Sequence, residues 1–117
     1  MKRKAELKPR FRVVRGKVIL LGPGKAELLE LLIETGSLNE AARRLDMSYM
    51  RAWSLMKLMN QSFCEPLAVA ERGGKKGGGM KVTPMGRRVL ALYKEMETAA
   101  LVSSRPAWQS LQKLVRR

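Results

Sequence analysis

Ser48, Tyr49, Met50, Arg51 and Ser54 fall within seven consecutive residues at helical spacing, and their side chains suit recognition chemistry rather than catalysis. Arg51 carries a planar guanidinium that can take guanine O6 and N7 together, and Met50 can cover a thymine methyl. Ser48 and Tyr49 bring hydroxyls that reach phosphate or a base edge, and Ser54 extends the same start of the helix. A second set, Ser37, Asn39, Lys57, Arg72, Lys75, Lys76 and Lys81, offers hydroxyl, amide and cationic donors to phosphate oxygens. Such contacts position a protein on a duplex without reading its sequence. A solvated helix start is the plainer alternative for the first set, and a solvated hairpin tip for the lysines of the second.

Catalytic chemistry has little to work with. The chain has no His, one Cys (Cys64) and one Asp (Asp46), which removes most general-base, nucleophile and metal-ligand arrangements. The expectation is a non-enzyme with no cofactor and no metal site. Cys64 reads as a small apolar side chain near a helix end, and a single Cys fits a reducing cytoplasm. No run is long or apolar enough for an export signal or a membrane span, so the expected location is the cytoplasm and no membrane partner is expected.

Charge points to the partner. Of 117 residues, 24 are Lys or Arg against 10 Asp or Glu, a formal net charge of +14 and a pI near 10.8. A polyanion is favoured, because each neutralised phosphate releases a condensed counterion. The excess is concentrated in residues 1–17, at +7, and residues 72–88, at +6, whereas residues 25–71 sum to −2. Affinity is therefore expected from a basic arm (Lys2, Arg3, Lys4, Lys8, Arg10, Arg12) and from the loop Gly-Gly-Lys-Lys-Gly-Gly-Gly at 73–79. The arm can enter an adjacent minor groove or lie along the backbone. The five loop glycines let backbone approach a phosphate row. An NTPase phosphate cradle is excluded, since no Gly-Lys-Ser/Thr follows the glycines.

These groups need elements to hold them. Residues 11–21 contain two β-branched runs on either side of Arg15-Gly16-Lys17, which predicts a hairpin. Pro23 opens a helix whose Ala26, Leu28, Leu29, Leu32 and Ile33 share a face, with Gly36 as its left-handed cap. Ser37 or Asn39 caps a second helix bearing Ala41, Ala42 and Leu45. Asp46-Met47-Ser48 makes the turn, and Ser48 caps a third helix over 49–63, with Ala52, Leu55, Met56, Met59 and Phe63 inward. Trp53 is expected to pack, its indole N–H turned to a polar neighbour, with direct contact to DNA as the alternative. Residues 67–72 and 80–82 read as paired strands around the glycine loop, and Thr83-Pro84 starts another helix. Ser103-Ser104-Arg105-Pro106 is expected to break that helix, leaving a short last one marked by Trp108, Leu111, Leu114 and Val115.

The predicted fold is α+β: a winged helix-turn-helix with an N-terminal β-hairpin, a two-stranded wing and C-terminal helices. It divides into a basic flexible arm (1–10), a DNA-binding domain (11–103) and a C-terminal helix (104–117) that can serve dimerisation. A recognition helix over 48–63 would read the major groove of double-stranded DNA while the wing, 72–82, holds phosphates. Surplus apolar residues on the last helices predict a homodimer. A non-specific architectural nucleic-acid binder and a winged-helix protein-interaction adaptor are the alternatives.

Gly36-Ser37-Leu38, Ala41-Ala42, Met47-Ser48-Tyr49, Ala52-Trp53, Met59-Asn60-Gln61 and the glycine-lysine loop closing on Thr83 and Gly86 resemble the N-terminal DNA-binding domain of ModE-type molybdate-dependent transcriptional regulators. Those domains are cousins of the LysR-type winged helices. The resemblance covers residues 22–97 and implies a dimeric winged helix on a palindromic operator. In that family molybdate is held by a separate C-terminal domain. Because the sequence ends at Arg117, the expectation is that this chain does not itself bind molybdate.

Overall fold

The computed structural model describes residues 3–71 and 79–116. Its elements are β1 (Val13–Arg15), β2 (Val18–Leu21), α1 (Pro23–Thr35), α2 (Leu38–Arg44), α3 (Tyr49–Ser62), β3 (Ala68–Ala70), β4 (Met80–Val82) and α4 (Pro84–Gln112). Among the described residues these make two antiparallel two-stranded sheets, β1–β2 and β3–β4, and four helices, an α+β architecture.

Local chemistry sets most boundaries. α1 starts on Pro23 and stops at Gly36, whose φ of 66° is left-handed and whose N–H donates to the Leu32 carbonyl at 2.8 Å. Three hydroxyls cap the helices that follow: Ser37 accepts from the Glu40 N–H at 3.1 Å, Ser48 from Arg51 at 3.1 Å, and Thr83 from Gly86 at 3.0 Å. Each cap contributes about 1 kcal/mol by satisfying an orphan donor of the first turn. Between α2 and α3, Asp46 takes a φ of 54°, which Asp tolerates better than most residues with a Cβ.

The core lies where the three short helices meet. Leu28, Leu29 and Leu32 of α1, Leu38 of α2, and Ala52, Met56 and Met59 of α3 are buried. Ala41, Ala42 and Ala52 are buried too, and their small side chains allow α2 and α3 to approach closely. Leu67, Ala68, Val82, Leu90 and Tyr93 complete the cluster from the wing and α4.

Both sheets are tied to this body. In the wing sheet Ala68 faces Val82, Val69 faces Lys81 and Ala70 faces Met80. Ser37 bridges Gly79, and the Met80 N–H donates to the Gly36 carbonyl at 3.0 Å, so the sheet is stitched to the turn between α1 and α2. The hairpin turns at Gly16, φ 59°. Its second strand is held by the buried Lys25, whose Nζ donates to the Ile19 carbonyl and whose pKa burial lowers. The Tyr93 hydroxyl donates to the Phe11 carbonyl at 2.8 Å, fixing the end of the arm against α4.

One expectation fails. α4 does not break at 103–106 but runs 29 residues with Pro106 inside it, so one long helix replaces the two anticipated. Pro106 cannot donate to the carbonyl four residues earlier, on Val102, which is among the exposed residues, so that carbonyl stays within reach of water. Ser104 Oγ donates to the Ala100 carbonyl at 2.6 Å, turning a residue read as a breaker into one bonded along the helix.

Candidate nucleic-acid interface

α3 carries the first set of side chains. Its buried residues, Ala52, Met56 and Met59, define the inward direction, and at 100° per residue the opposite direction is centred on Met50, Ser54 and Lys57. Met50 is 65% exposed, and Ser54, Lys57 and Gln61 are exposed along the same stripe. Tyr49 and Arg51 are also exposed and stand about 100° to either side of Met50. The helix thus presents a convex face with a thioether and a hydroxyl in the middle, a phenol on one flank and a guanidinium on the other. Ser48 spends its lone pair on the Arg51 N–H, which leaves its own proton available to an acceptor.

Trp53 departs from expectation. It is 41% exposed, beside Met50 and Ser54, and the Lys57 ammonium lies 5.1 Å from its ring centroid. The wheel explains this: Trp53 sits about 100° from the buried direction of α3, too far round to reach the core.

The second set is scattered over three elements. Ser37 is half-buried and its hydroxyl caps α2, whereas Asn39, in the first turn of α2, is exposed. Lys81 is exposed at the centre of β4, opposite Val69. Arg72, Lys75 and Lys76 lie outside the described residues. Arg51, Lys57 and Lys81 form no ion pair with a described residue, in contrast to Arg43 and Arg44 of α2, which are bound to Glu40, Arg44 also reaching Glu34 at 3.0 Å. The hydrogen bond from Arg43, aided by Arg44, draws the Glu40 carboxyl down to about 2. Those two arginines are therefore partly neutralised where they stand.

Asn60 links α3 to the β3–β4 sheet. Its Oδ1 accepts from the backbone N–H of Leu67 at 2.8 Å and of Ala68 at 3.2 Å, and its Nδ2 donates to the Ala68 carbonyl at 2.9 Å. Thr83 continues the tie: its hydroxyl donates to the Pro66 carbonyl at 2.7 Å and its N–H to the Leu67 carbonyl at 2.9 Å. Gly86 lets α4 press on the same strand, since a Cβ there would overlap the Leu67 carbonyl oxygen and come 2.7 Å from Val82 Cγ1. None of the three was assigned such a role from sequence. Each acts through contacts that a local pattern does not encode.

Among the described residues no cluster of three or more His, Cys, Asp or Glu could hold a metal ion, and no helix is long and apolar enough to cross a membrane. An open apolar groove of about 540 Å³ runs between the hairpin and α4, lined by Val13, Leu21, Phe63, Val89, Leu92 and Met96.

Three helices whose third exposes its outer face, followed by a two-stranded sheet strapped to the turn between the first two, follow the winged-helix pattern. No family model matches the chain. Over 77 residues, 66% of the chain, it is 40% identical to the "Molybdenum transport protein ModE" of Azotobacter vinelandii. Over 86 residues, 72% of the chain, it is 38% identical to the "Molybdenum-pterin-binding protein MopB" of Rhodobacter capsulatus. Over 71 residues, 61% of the chain, it is 35% identical to the "DNA-binding transcriptional dual regulator ModE" of Escherichia coli K12. The aligned stretch is similar to these proteins at 35–40% identity, consistent with a ModE-type domain. It spans 28%, 32% and 27%, respectively, of the lengths of these three relatives.

Proposed function

We infer that this chain is a sequence-specific DNA-binding transcriptional regulator, with α3 in the major groove and the wing on the phosphate backbone. The observation that carries the reading is the outer face of α3. It is exposed from Ser48 through Ser54 on a helix whose opposite face is locked into the core. A major groove about 12 Å wide accepts one such helix, and its first turns meet the base edges. Ser48, Tyr49, Met50, Arg51 and Ser54 then read sequence, with Arg51 placed for guanine. Lys57, Lys81 and Asn39 contact phosphates, together with Ser37, Arg72, Lys75 and Lys76.

The relatives' printed names support regulation, one of them being called a DNA-binding transcriptional regulator. A homodimer is part of the proposal. α4 leaves Leu92, Met96, Leu101, Val102 and Leu111 exposed, and Leu114 just beyond it is exposed too, apolar side chains that a second copy of the chain could cover.

Competition binding tests the reading. A duplex selected from random sequences should be preferred over random DNA by about 10³-fold or more. Equal affinity for all duplexes would favour an architectural role. No measurable affinity, combined with a salt-independent protein partner, would favour an adaptor.

A further inference from the structure

Trp53 has no work in the core and none in the assignments above. Its indole is 41% exposed in the second turn of α3, directly beside Met50, which is 65% exposed. Trp53 stands at the side of the outward face and Met50 near its centre, with Lys57 between them in angle and one turn further along the helix. The exposed part of an indole offers apolar area to a partner at little conformational cost. The Lys57 ammonium lies over the ring, 5.1 Å from its centroid, a cation–π contact that favours one ring orientation. The thymine C5-methyl is the apolar feature that the major groove presents to such a surface.

We propose that Trp53 is a specificity-determining residue that packs the exposed part of its ring on a thymine methyl, with Lys57 as its positioning residue and phosphate contact. This rests on the DNA-reading assignment of α3. It differs from that assignment in giving the discrimination at one base pair to Trp53, a residue outside the base-reading set. Burying one methyl group corresponds to an affinity ratio of roughly threefold to fivefold.

The test uses the full chain and the tightest duplex selected from random sequences, with each thymine replaced in turn by 2′-deoxyuridine, which lacks only the methyl. Wild type is expected to lose roughly threefold to fivefold at one position per half-site. Trp53→Ala should bind more weakly overall and show no further loss at that position. Trp53→Phe, which retains a ring, should keep part of it. In a Trp108→Phe background Trp53 is the sole tryptophan, and its emission should change on binding the specific duplex. A folded Trp53→Ala variant with the wild-type deoxyuridine profile overturns the proposal and leaves the DNA-reading role of α3 standing. A wild-type chain that prefers no duplex overturns both.

Discussion

Replacing Asn60 should uncouple α3 from the β3–β4 sheet. Asn60→Ala removes two acceptor contacts and one donor contact, at 2.8, 3.2 and 2.9 Å, from the backbone of Leu67 and Ala68. Both of those residues are buried, at 0% and 1% exposure, so their amide groups have little access to water of their own. Leaving a buried backbone group unpaired costs about 1–3 kcal/mol. Asn60 itself is only half-buried, so water entering the vacated site offsets part of the loss. The expected destabilisation is about 2–4 kcal/mol, a large share of the roughly 5–15 kcal/mol available to a domain. Urea unfolding followed by circular dichroism gives the energy, and amide hydrogen exchange at Leu67 and Ala68 gives the location. Asn60→Asp keeps the acceptor but turns the donor towards Ala68 O into a repelling oxygen, so it should fall between wild type and the alanine variant. A loss below about 1 kcal/mol in Asn60→Ala, or undiminished protection of the two amides, would refute the coupling.

Gly86→Ala should destabilise by about 2–4 kcal/mol, because the added carbon overlaps the Leu67 carbonyl and crowds Val82; an unchanged urea midpoint would contradict the close approach. Tyr93→Phe should cost about 1 kcal/mol and speed proteolysis of the arm, since the hydroxyl holds the Phe11 carbonyl at 2.8 Å; equal cleavage rates would sink that reading. The Glu40 carboxyl is depressed from 4.5 to about 2, so its contribution is present above pH 4.5 and lost as pH falls towards 2. Glu40→Gln should flatten the acid limb of α2 stability over that window, and an identical limb in both proteins would show the pairing to be idle. Lys75→Ala combined with Lys76→Ala should weaken binding to all duplexes alike and reduce the log–log salt slope by about 2. An unchanged slope would remove the wing from the phosphates.

What could be read from sequence follows the range of the interactions involved. Ser48, Thr83 and Gly36 were legible because a cap or a left-handed terminus is decided by neighbours three or four residues away. Met56 and Met59 were legible because periodicity alone turns them inward. Trp53 was misplaced by its chemical type, although its angular position pointed outward. Pro106 was misjudged because its cost depends on whether the freed Val102 carbonyl meets water, a matter of exposure. Asn60 and Gly86 carry meaning only once the wing strand lies against them. The exposed face of α3 was visible early, whereas the bonds that aim it were not.

Protection of guanine N7 from methylation on a bound duplex tests the central claim most directly, because N7 lies in the major groove, the place proposed for the outer face of α3. The expected result is protection in two clusters about 10 base pairs apart, lost at one guanine per cluster in Arg51→Ala. Binding that leaves every guanine N7 as reactive as in free DNA would contradict it.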